Sequence, residues 1–193
     1  MILDNLPPLK DRTAILVPDD GALLAMAEYG ADALDWLFLS GAKLFVTDAV
    51  RHEVLRDRKA GEDDYAPAQR PLLAHWFEKN AGRIGVIESE QNVAHERDVG
   101  RWERGGHAGP APSWDWEDEP RAADAVRAVG RIPAKDRERV LIVANHDATR
   151  AAFRDRLSDA LALTGTTRFI GMIAGQFRIE KALGIVSRDL SIA

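Results

Sequence analysis

Short apolar segments that alternate with helical patterns set narrow limits on the fold of this chain. They lie at residues 14–17 (AILV), 43–46 (KLFV), 84–87 (IGVI) and 140–144 (VLIVA). Strands that are apolar throughout are typical of a sheet buried on both faces, and their alternation with helices indicates a parallel sheet. The predicted fold class is therefore α/β, a three-layer domain with a central parallel sheet flanked by helices.

Helical patterns fill most of the intervals between these segments. They cover about residues 22–29, 33–38, 48–55, 72–77, 122–129, 148–163 and 169–183. The pattern breaks down after about residue 88, and residues 105–113 (GGHAGPAPS) indicate a loop. We therefore predict a single domain over residues 1–193 with an insertion or long loop at about 88–119.

Composition excludes several classes of protein and site. The chain has no cysteine, which rules out disulfides, thiolate zinc sites and cysteine nucleophiles. Its formal net charge of −5 argues against a protein that coats nucleic acid, but it is compatible with a nucleic-acid enzyme that has local basic strips. The sequence shows neither a long apolar span nor a secretory signal pattern, so we expect a cytoplasmic protein that does not enter a membrane.

Two of the predicted strands lead directly into acidic residues, Asp19 and Asp147. In an open parallel sheet, ligands bind beyond the carboxyl ends of the strands, near the point where the strand order reverses. If the two strands are neighbours, both carboxylates face one cleft. Glu53 lies about two turns into the helix after the second strand, and Asp124 lies on the helix before the VLIVA strand. Because an Asp at such a junction is also a common N-cap, position alone leaves both interpretations open.

In their order and spacing these segments resemble the PIN-domain family, ribonucleases that include the toxins of many bacterial toxin–antitoxin pairs. Residues 15–24 (ILVPDDGALL) look like the family's opening strand, and residues 46–54 (VTDAVRHEV) are similar to its second motif. Residues 140–147 (VLIVANHD) look like its last motif, although Asn145 stands where the family has Thr or Ser. The match covers roughly residues 14–58 and 121–170.

The resemblance implies a cluster of four acids that serve as catalytic residues and metal ligands: Asp19, Glu53, Asp124 and Asp147. The alignment of residues 15–24 with the family's opening strand selects Asp19 and not Asp20 as the first acid. Asp118 and Glu119 remain rivals of Asp124 for the third acid. Two carboxylates 5 Å apart repel by roughly 3 kcal/mol at an effective dielectric constant of 20, which a divalent cation would relieve. With oxygen ligands only, Mg²⁺ or Mn²⁺ is the expected occupant, and it would activate water for attack on phosphorus.

The function that the resemblance implies is a metal-dependent endoribonuclease that hydrolyses RNA phosphodiester bonds. It also implies a homodimer, and an antitoxin protein as partner if the chain is a toxin. The alternative is a PIN-like binding module without catalysis. The pair Asp19-Asp20 is also typical of bacterial receiver domains, but these need an Asp at the end of the third strand and a Lys after the fifth. Here the third strand ends in Ile87-Glu88-Ser89, and no Lys follows residue 147 until Lys181.

Other polar and aromatic residues have both a functional and a structural interpretation. Trp102, Trp114 and Trp116 could stack on unpaired bases, but tryptophans on a long connection more often pin it to the domain. Basic side chains near the acids could contact phosphates, although solvated helix faces are commoner; they are Arg51, Arg56, Arg58, Lys59, Arg150, Arg154 and Arg156. The five histidines, at 52, 75, 95, 107 and 146, lack the close pairing of a zinc site.

Overall fold

A single parallel sheet organises the computed structural model, which describes residues 15–39, 41–113, 118–132, 140–154 and 161–192. Its five strands are β1 (Ile15–Pro18), β2 (Lys43–Thr47), β3 (Ile84–Ile87), β4 (Val140–Val143) and β5 (Leu161–Thr164). They lie in the order β3-β2-β1-β4-β5, and every neighbouring pair is parallel. The predicted α/β class with a central parallel sheet is confirmed.

Nine α-helices lie within the described ranges. They are α1 (Asp20–Glu28), α2 (Ala31–Asp35), α3 (Asp48–Leu55), α4 (Tyr65–Lys79), α5 (Glu90–Arg104), α6 (Asp118–Gly130), α7 (Asp147–Arg154), α8 (Thr166–Phe177) and α9 (Glu180–Ile192). A short 3₁₀ helix, Trp36–Phe38, follows α2. No helix in these ranges is both long and apolar enough to cross a membrane.

Two hydrophobic clusters cover the two faces of the sheet and make three layers. Because successive strand residues point to opposite faces, Leu16 and Leu141 pack into one cluster while Ile15 and Val140 pack into the other. The larger cluster joins the sheet to α1–α4, α8 and α9. The smaller one joins it to α6 and α7, through side chains such as Phe153.

The strand order reverses between β1 and β4. From β1 the chain proceeds to β2 and β3 on one side of the sheet, whereas β4 leads to β5 on the other. The connections that follow β1 and β4 therefore diverge and leave a crevice at the carboxyl ends of these two strands. Pro18, the last residue of β1, pairs with Val143 but lies beyond the β1–β2 register, which covers Ile15 and Leu16 only. A missing backbone donor is tolerated at this position.

The structure differs from the sequence-based elements in three places. The helix predicted over residues 148–163 is wrong at its end, because Leu161–Thr164 forms the edge strand β5. The helix predicted over 169–183 is two helices, since Arg178 adopts a left-handed conformation (φ 54°) between α8 and α9. Within the predicted insertion at 88–119, Glu90–Arg104 forms the helix α5.

Candidate functional site

Asp19 follows β1, and its carboxylate joins the start of α1 to the loop after β4. It accepts the backbone N–H of Ala22 at 2.7 Å, so it is the N-cap of α1. The backbone N–H groups of Asn145 and His146 each donate to its Oδ2 at 3.0 Å. Its own N–H donates to the carbonyl of Val143 at 2.9 Å. The carboxylate therefore lies in the crevice between β1 and β4, with only 5% of the residue exposed.

The next residue, Asp20, brings a second buried carboxylate to the same place. Its Oδ2 lies 3.1 Å from Nε2 of His146, whose side chain is 36% exposed. Gly21 makes room for this contact, because a Cβ at this position would lie 2.9 Å from two atoms of the imidazole ring. The crevice therefore contains an Asp–His contact directly beside the buried Asp19.

Burial and like charge both act on Asp19. Burial raises the pKa of its carboxyl group above the usual value, and the negative charge of Asp20 raises it further. The backbone donors of His146, Ala22 and Asn145 oppose this rise in pKa without cancelling it. The ionised pair is therefore a concentration of negative charge that a nearby cation would stabilise.

Asp147 lies at the end of the strand next to Asp19. It is the first residue of α7 and is exposed, so a solute can reach it from solvent. β1 and β4 are neighbours, as the cleft hypothesis requires. Asn145 uses its Oδ1 to accept the backbone N–H of Thr166 at 3.1 Å. This contact links the loop after β4 to the start of α8.

Glu53 lies in an ion-pair network on α3 and α4. Arg56 contacts Glu53 at 2.7 Å and Glu62 at 2.8 Å. Arg70, which is buried, contacts Glu62 at 2.6 Å and lies 3.9 Å from Glu53. The side chain of Glu53 is 18% exposed, and its charge is already opposed by Arg56 at short range.

Asp124 is fully buried and serves the N-terminus of α5. Its two carboxylate oxygens accept the backbone N–H groups of Glu90 and Gln91, each at 3.2 Å. The guanidinium of Arg127 donates to it at 3.3 Å. A carboxylate that receives backbone N–H groups at a helix N-terminus satisfies donors that the helix itself leaves open. The contacts of Asp124 thus anchor α6 to α5.

The contacts divide the four predicted acids into two kinds. Asp19 and Asp147 lie at the crevice between β1 and β4. Glu53 and Asp124 lie on α3 and α6, and each pairs with an arginine three residues further along the chain. Among the described residues, no group of three or more His, Cys, Asp or Glu side chains is arranged to hold a metal ion. The side chains of the rivals, Asp118 and Glu119, lie outside the described residues. The four-acid metal site stays a prediction.

The contact between Asp20 and His146, which lies beside Asp19, was not predicted from the sequence. The family register selects Asp19 and not Asp20, and His146 was considered only among the five histidines that lack the pairing of a zinc site. The available signal is Gly21, a residue without a side chain directly after two acids. Because it has no side chain, a glycine allows another group to approach the backbone closely.

The tryptophans and basic strips are only partly within the described residues. The indole N–H of Trp102 donates to the carbonyl of Gly109 at 3.0 Å, and the ring meets His107 edge to face. Trp102 therefore pins the loop that follows α5, while Trp114 and Trp116 lie outside the described residues. Of the basic residues near Glu53, Arg56 and Arg58 pair with acids. Of those beyond Asp147, Arg156 lies outside the described residues.

Comparisons of the chain with protein-family models, with curated proteins and with solved structures return no match.

Proposed function

We propose that this protein is a metal-dependent ribonuclease of the PIN type, with its active site at the carboxyl ends of β1 and β4. The observation that carries the proposal is the buried acid pair Asp19-Asp20 in the crevice where the strand order reverses. The sequence resemblance supplies the substrate class, RNA. A homodimer and an antitoxin partner stay predictions that follow from the same resemblance, and a cytoplasmic location stays a prediction from the sequence pattern.

The charge of the crevice supports a bound cation. Asp19 is buried beside Asp20, and the two like charges raise the free energy of the ionised site. A hard divalent cation such as Mg²⁺ or Mn²⁺, bound by the oxygens of Asp19, would lower that free energy. It would supply Lewis-acid activation of water and charge neutralisation at phosphate.

The fit of the four predicted ligands to a cation is uneven. Asp19 and Asp147 come from adjacent strands and supply the oxygen ligands that Mg²⁺ and Mn²⁺ prefer. Glu53 and Asp124 would have to exchange arginine partners for the cation. The chain's own contribution is to fix Asp19 through three backbone donors, so its oxygens are positioned before a cation or phosphate arrives.

A cleavage assay with matched variants tests the proposal. The wild type should cleave single-stranded RNA with Mn²⁺ and stop when chelator is added. Asp19→Asn should lower the rate by more than roughly 100-fold, beyond the 10–100-fold effect typical of residues that only support a ligand. Cleavage that persists in chelator would contradict the metal mechanism.

Asp48 provides the control for damage to the fold. It is also an acid that follows a strand, and it accepts the backbone N–H groups of Ala49 at 2.7 Å and Ser89 at 3.0 Å. It lies after β2, which is on the other side of β1 from β4. Asp48→Asn should therefore lose a comparable structural contact and keep most of the activity. Equal losses in the two variants would count against a catalytic role for Asp19.

A binding module without catalysis is the second candidate. The observation that favours it is that Glu53 and Asp124 are already paired with arginines. Such pairing neutralises two of the four acids that the ribonuclease proposal would use. RNA binding without cleavage, under any divalent cation, would support this candidate over the first.

A further inference from the structure

The helix α5, in the segment that the family resemblance leaves unexplained, has an unusual environment. It is 15 residues long, yet none of its residues is buried. Its N-terminus is held to the domain by Asp124, and its first turn is capped by the side chain of Ser89, which accepts the N–H of Asn92 at 3.2 Å. Most of the helix surface is therefore open to a partner.

One face of α5 combines arginines with small residues. At 100° per residue, Arg97, Arg101 and Arg104 fall within about 60° of one another, and the same face contains Val93, Ala94 and Gly100. The acids Glu96, Asp98 and Glu103 fall on the flanks. We call this face, from Val93 to Arg104, the arginine face of α5.

The acid Glu90, which precedes the arginine face at the start of α5, is already paired with arginines. Glu90 pairs with Arg127 at 3.1 Å and with Arg131 at 2.9 Å, both from the end of α6 and the residues after it. Arg101 contacts Asp98 at 3.4 Å, but both side chains are more than half exposed, so this pair is weak. The face therefore presents positive charge.

A groove runs beside this face. It has a volume of about 280 Å³ and is lined by Glu90, Val93, Ala94, Arg97 and Arg131. Its apolar wall is formed by Val93, which is 38% exposed, and Ala94. Arginines beside an apolar wall suit a ligand with both charged and flat apolar parts, such as the phosphates and bases of single-stranded RNA.

The position of α5 relative to the crevice fits the same ligand. α5 follows β3, and the carboxyl ends of parallel strands meet at one edge of the sheet, so α5 begins at the edge where Asp19 lies. β3 is two strands from β1, a distance of about 10 Å. The three arginines are spaced about 6 Å and 4.5 Å along the helix axis, which lets them contact successive phosphates.

We propose that the arginine face of α5 and the adjacent groove bind the backbone of single-stranded RNA and guide it toward the crevice between β1 and β4. The choice of RNA rests on the proposed ribonuclease function. The contacts are to phosphate and therefore independent of base sequence.

Binding of labelled single-stranded RNA, followed by fluorescence anisotropy in chelator, tests this inference without any cleavage. The triple variant Arg97→Gln, Arg101→Gln and Arg104→Gln should bind at least tenfold more weakly, for every RNA sequence tried. The slope of log affinity against log salt should become shallower by about 2, since each lost contact to a single strand contributes about 0.7.

The control removes three positive charges at the opposite edge of the sheet. Lys43 begins β2, Lys79 ends α4 and Arg83 precedes β3, and all three are exposed. Lys43→Gln, Lys79→Gln and Arg83→Gln should leave the affinity and the salt slope near the wild-type values. If both triple variants lose the same affinity for RNA, the effect depends only on the net charge of the protein and the inference is overturned.

Two further outcomes are informative. If polyglutamate displaces the RNA as well as unlabelled RNA does, the face binds acidic polymers in general and the RNA assignment is overturned. If RNA binding depends on the arginine face but no divalent cation supports cleavage, the inference about the arginine face is supported and the ribonuclease proposal fails. The two proposals can therefore fail separately.

Discussion

Asp19 and Asp48 show how a single carboxylate can connect two strand ends. Asp19 receives backbone donors from the loop after β4, and Asp48 receives the N–H of Ser89 after β3. Each carboxylate thus satisfies donors that a strand-to-helix turn leaves open. The two carboxylates differ in the residue that follows each of them in the chain. Asp20 adds a second buried charge beside Asp19, and this makes Asp19 the better candidate for chemistry.

The close approach of His146 to Gly21 can be tested by adding a single methyl group in Gly21→Ala. Gly→Ala inside a helix usually stabilises a protein by about 0.5–1 kcal/mol. In Gly21→Ala, however, the new methyl would displace the His146 ring from Asp20, because it would lie 2.9 Å from the ring. We therefore expect the variant to gain nothing, or to lose up to about 1 kcal/mol, in urea unfolding.

The control for this prediction is Gly175 in α8. A Cβ at this position meets no atom within 4 Å among the described residues. Gly175→Ala should therefore show the usual helix gain of about 0.5 kcal/mol. If Gly21→Ala is stabilised by the same amount, the close approach of His146 to the backbone is not present in solution.

At the scale of elements, four charged side chains connect α3, the segment after it and α4. Glu62 lies between Arg56 and Arg70, which contact it at 2.8 Å and 2.6 Å. Hydrogen bonds from these arginines hold the pKa of Glu62 well below its usual range, the contribution of Arg70 being the largest. The segment after α3 is therefore held to the domain by charge and not by apolar burial.

The pH dependence of this network has a definite sign. Because the folded-state pKa of Glu62 is depressed, its contribution to stability is present above the unfolded value near 4.5 and is lost as pH falls below it. At neutral pH, Glu62→Gln should lower the free energy of unfolding by about 2–3 kcal/mol, less than for a fully buried pair. The difference between wild type and variant should shrink as the pH is lowered from about 5.

Denaturant titrations at several pH values check this, with Asp64→Asn as control. Asp64 pairs with Arg58 at 2.7 Å, but its side chain is 90% exposed. The control should therefore change the free energy of unfolding by less than about 0.5 kcal/mol at any pH. A difference for Glu62→Gln that grows toward low pH would contradict the assigned network.

For the whole molecule, a cation in the crevice predicts a stability that depends on metal. A ligand that binds only the folded state, at a concentration 100 times its dissociation constant, stabilises a protein by about 2.7 kcal/mol. In a chain of this length such a gain raises Tm by roughly 5–10 °C. Thermal melts with Mn²⁺ should show the rise for the wild type and for Asp48→Asn, but not for Asp19→Asn. Equal rises in all three would exclude Asp19 as a ligand.

The central strands of the sheet could be predicted from the sequence more accurately than the edge strand β5 and the ends of the helices. Segments such as VLIV at Val140–Val143 form buried central strands, so apolar residues at successive positions reveal them. The edge strand Leu161–Thr164 is mostly half-buried or exposed, and its four residues carry too weak a pattern to separate it from the helix before it. The break at Arg178 lacks the Gly or Asn that usually marks a left-handed position.

The candidate site was predictable where backbone topology decides it. Asp19 and Asp147 follow from strand ends, because the fold brings the ends of neighbouring parallel strands to one edge. The long-range partners of Glu53 and Asp124 do not follow from it. Arg70 and the N-terminus of α5 reach these acids only through tertiary packing of separate helices. The spacing of the motifs predicts where each acid lies on its strand or helix. Its contacts with other helices depend on long-range packing, which the spacing does not reveal.

The position of β1 between β2 and β4 also orders events during synthesis. Ile15 pairs with Lys43 on one side and with Val140 on the other, so one edge of β1 is closed early and the other stays open until most of the chain has emerged. The donors from Asn145 and His146 that hold Asp19 belong to the same late segment. A nascent chain therefore lacks the crevice until β4 has left the ribosome and paired with β1.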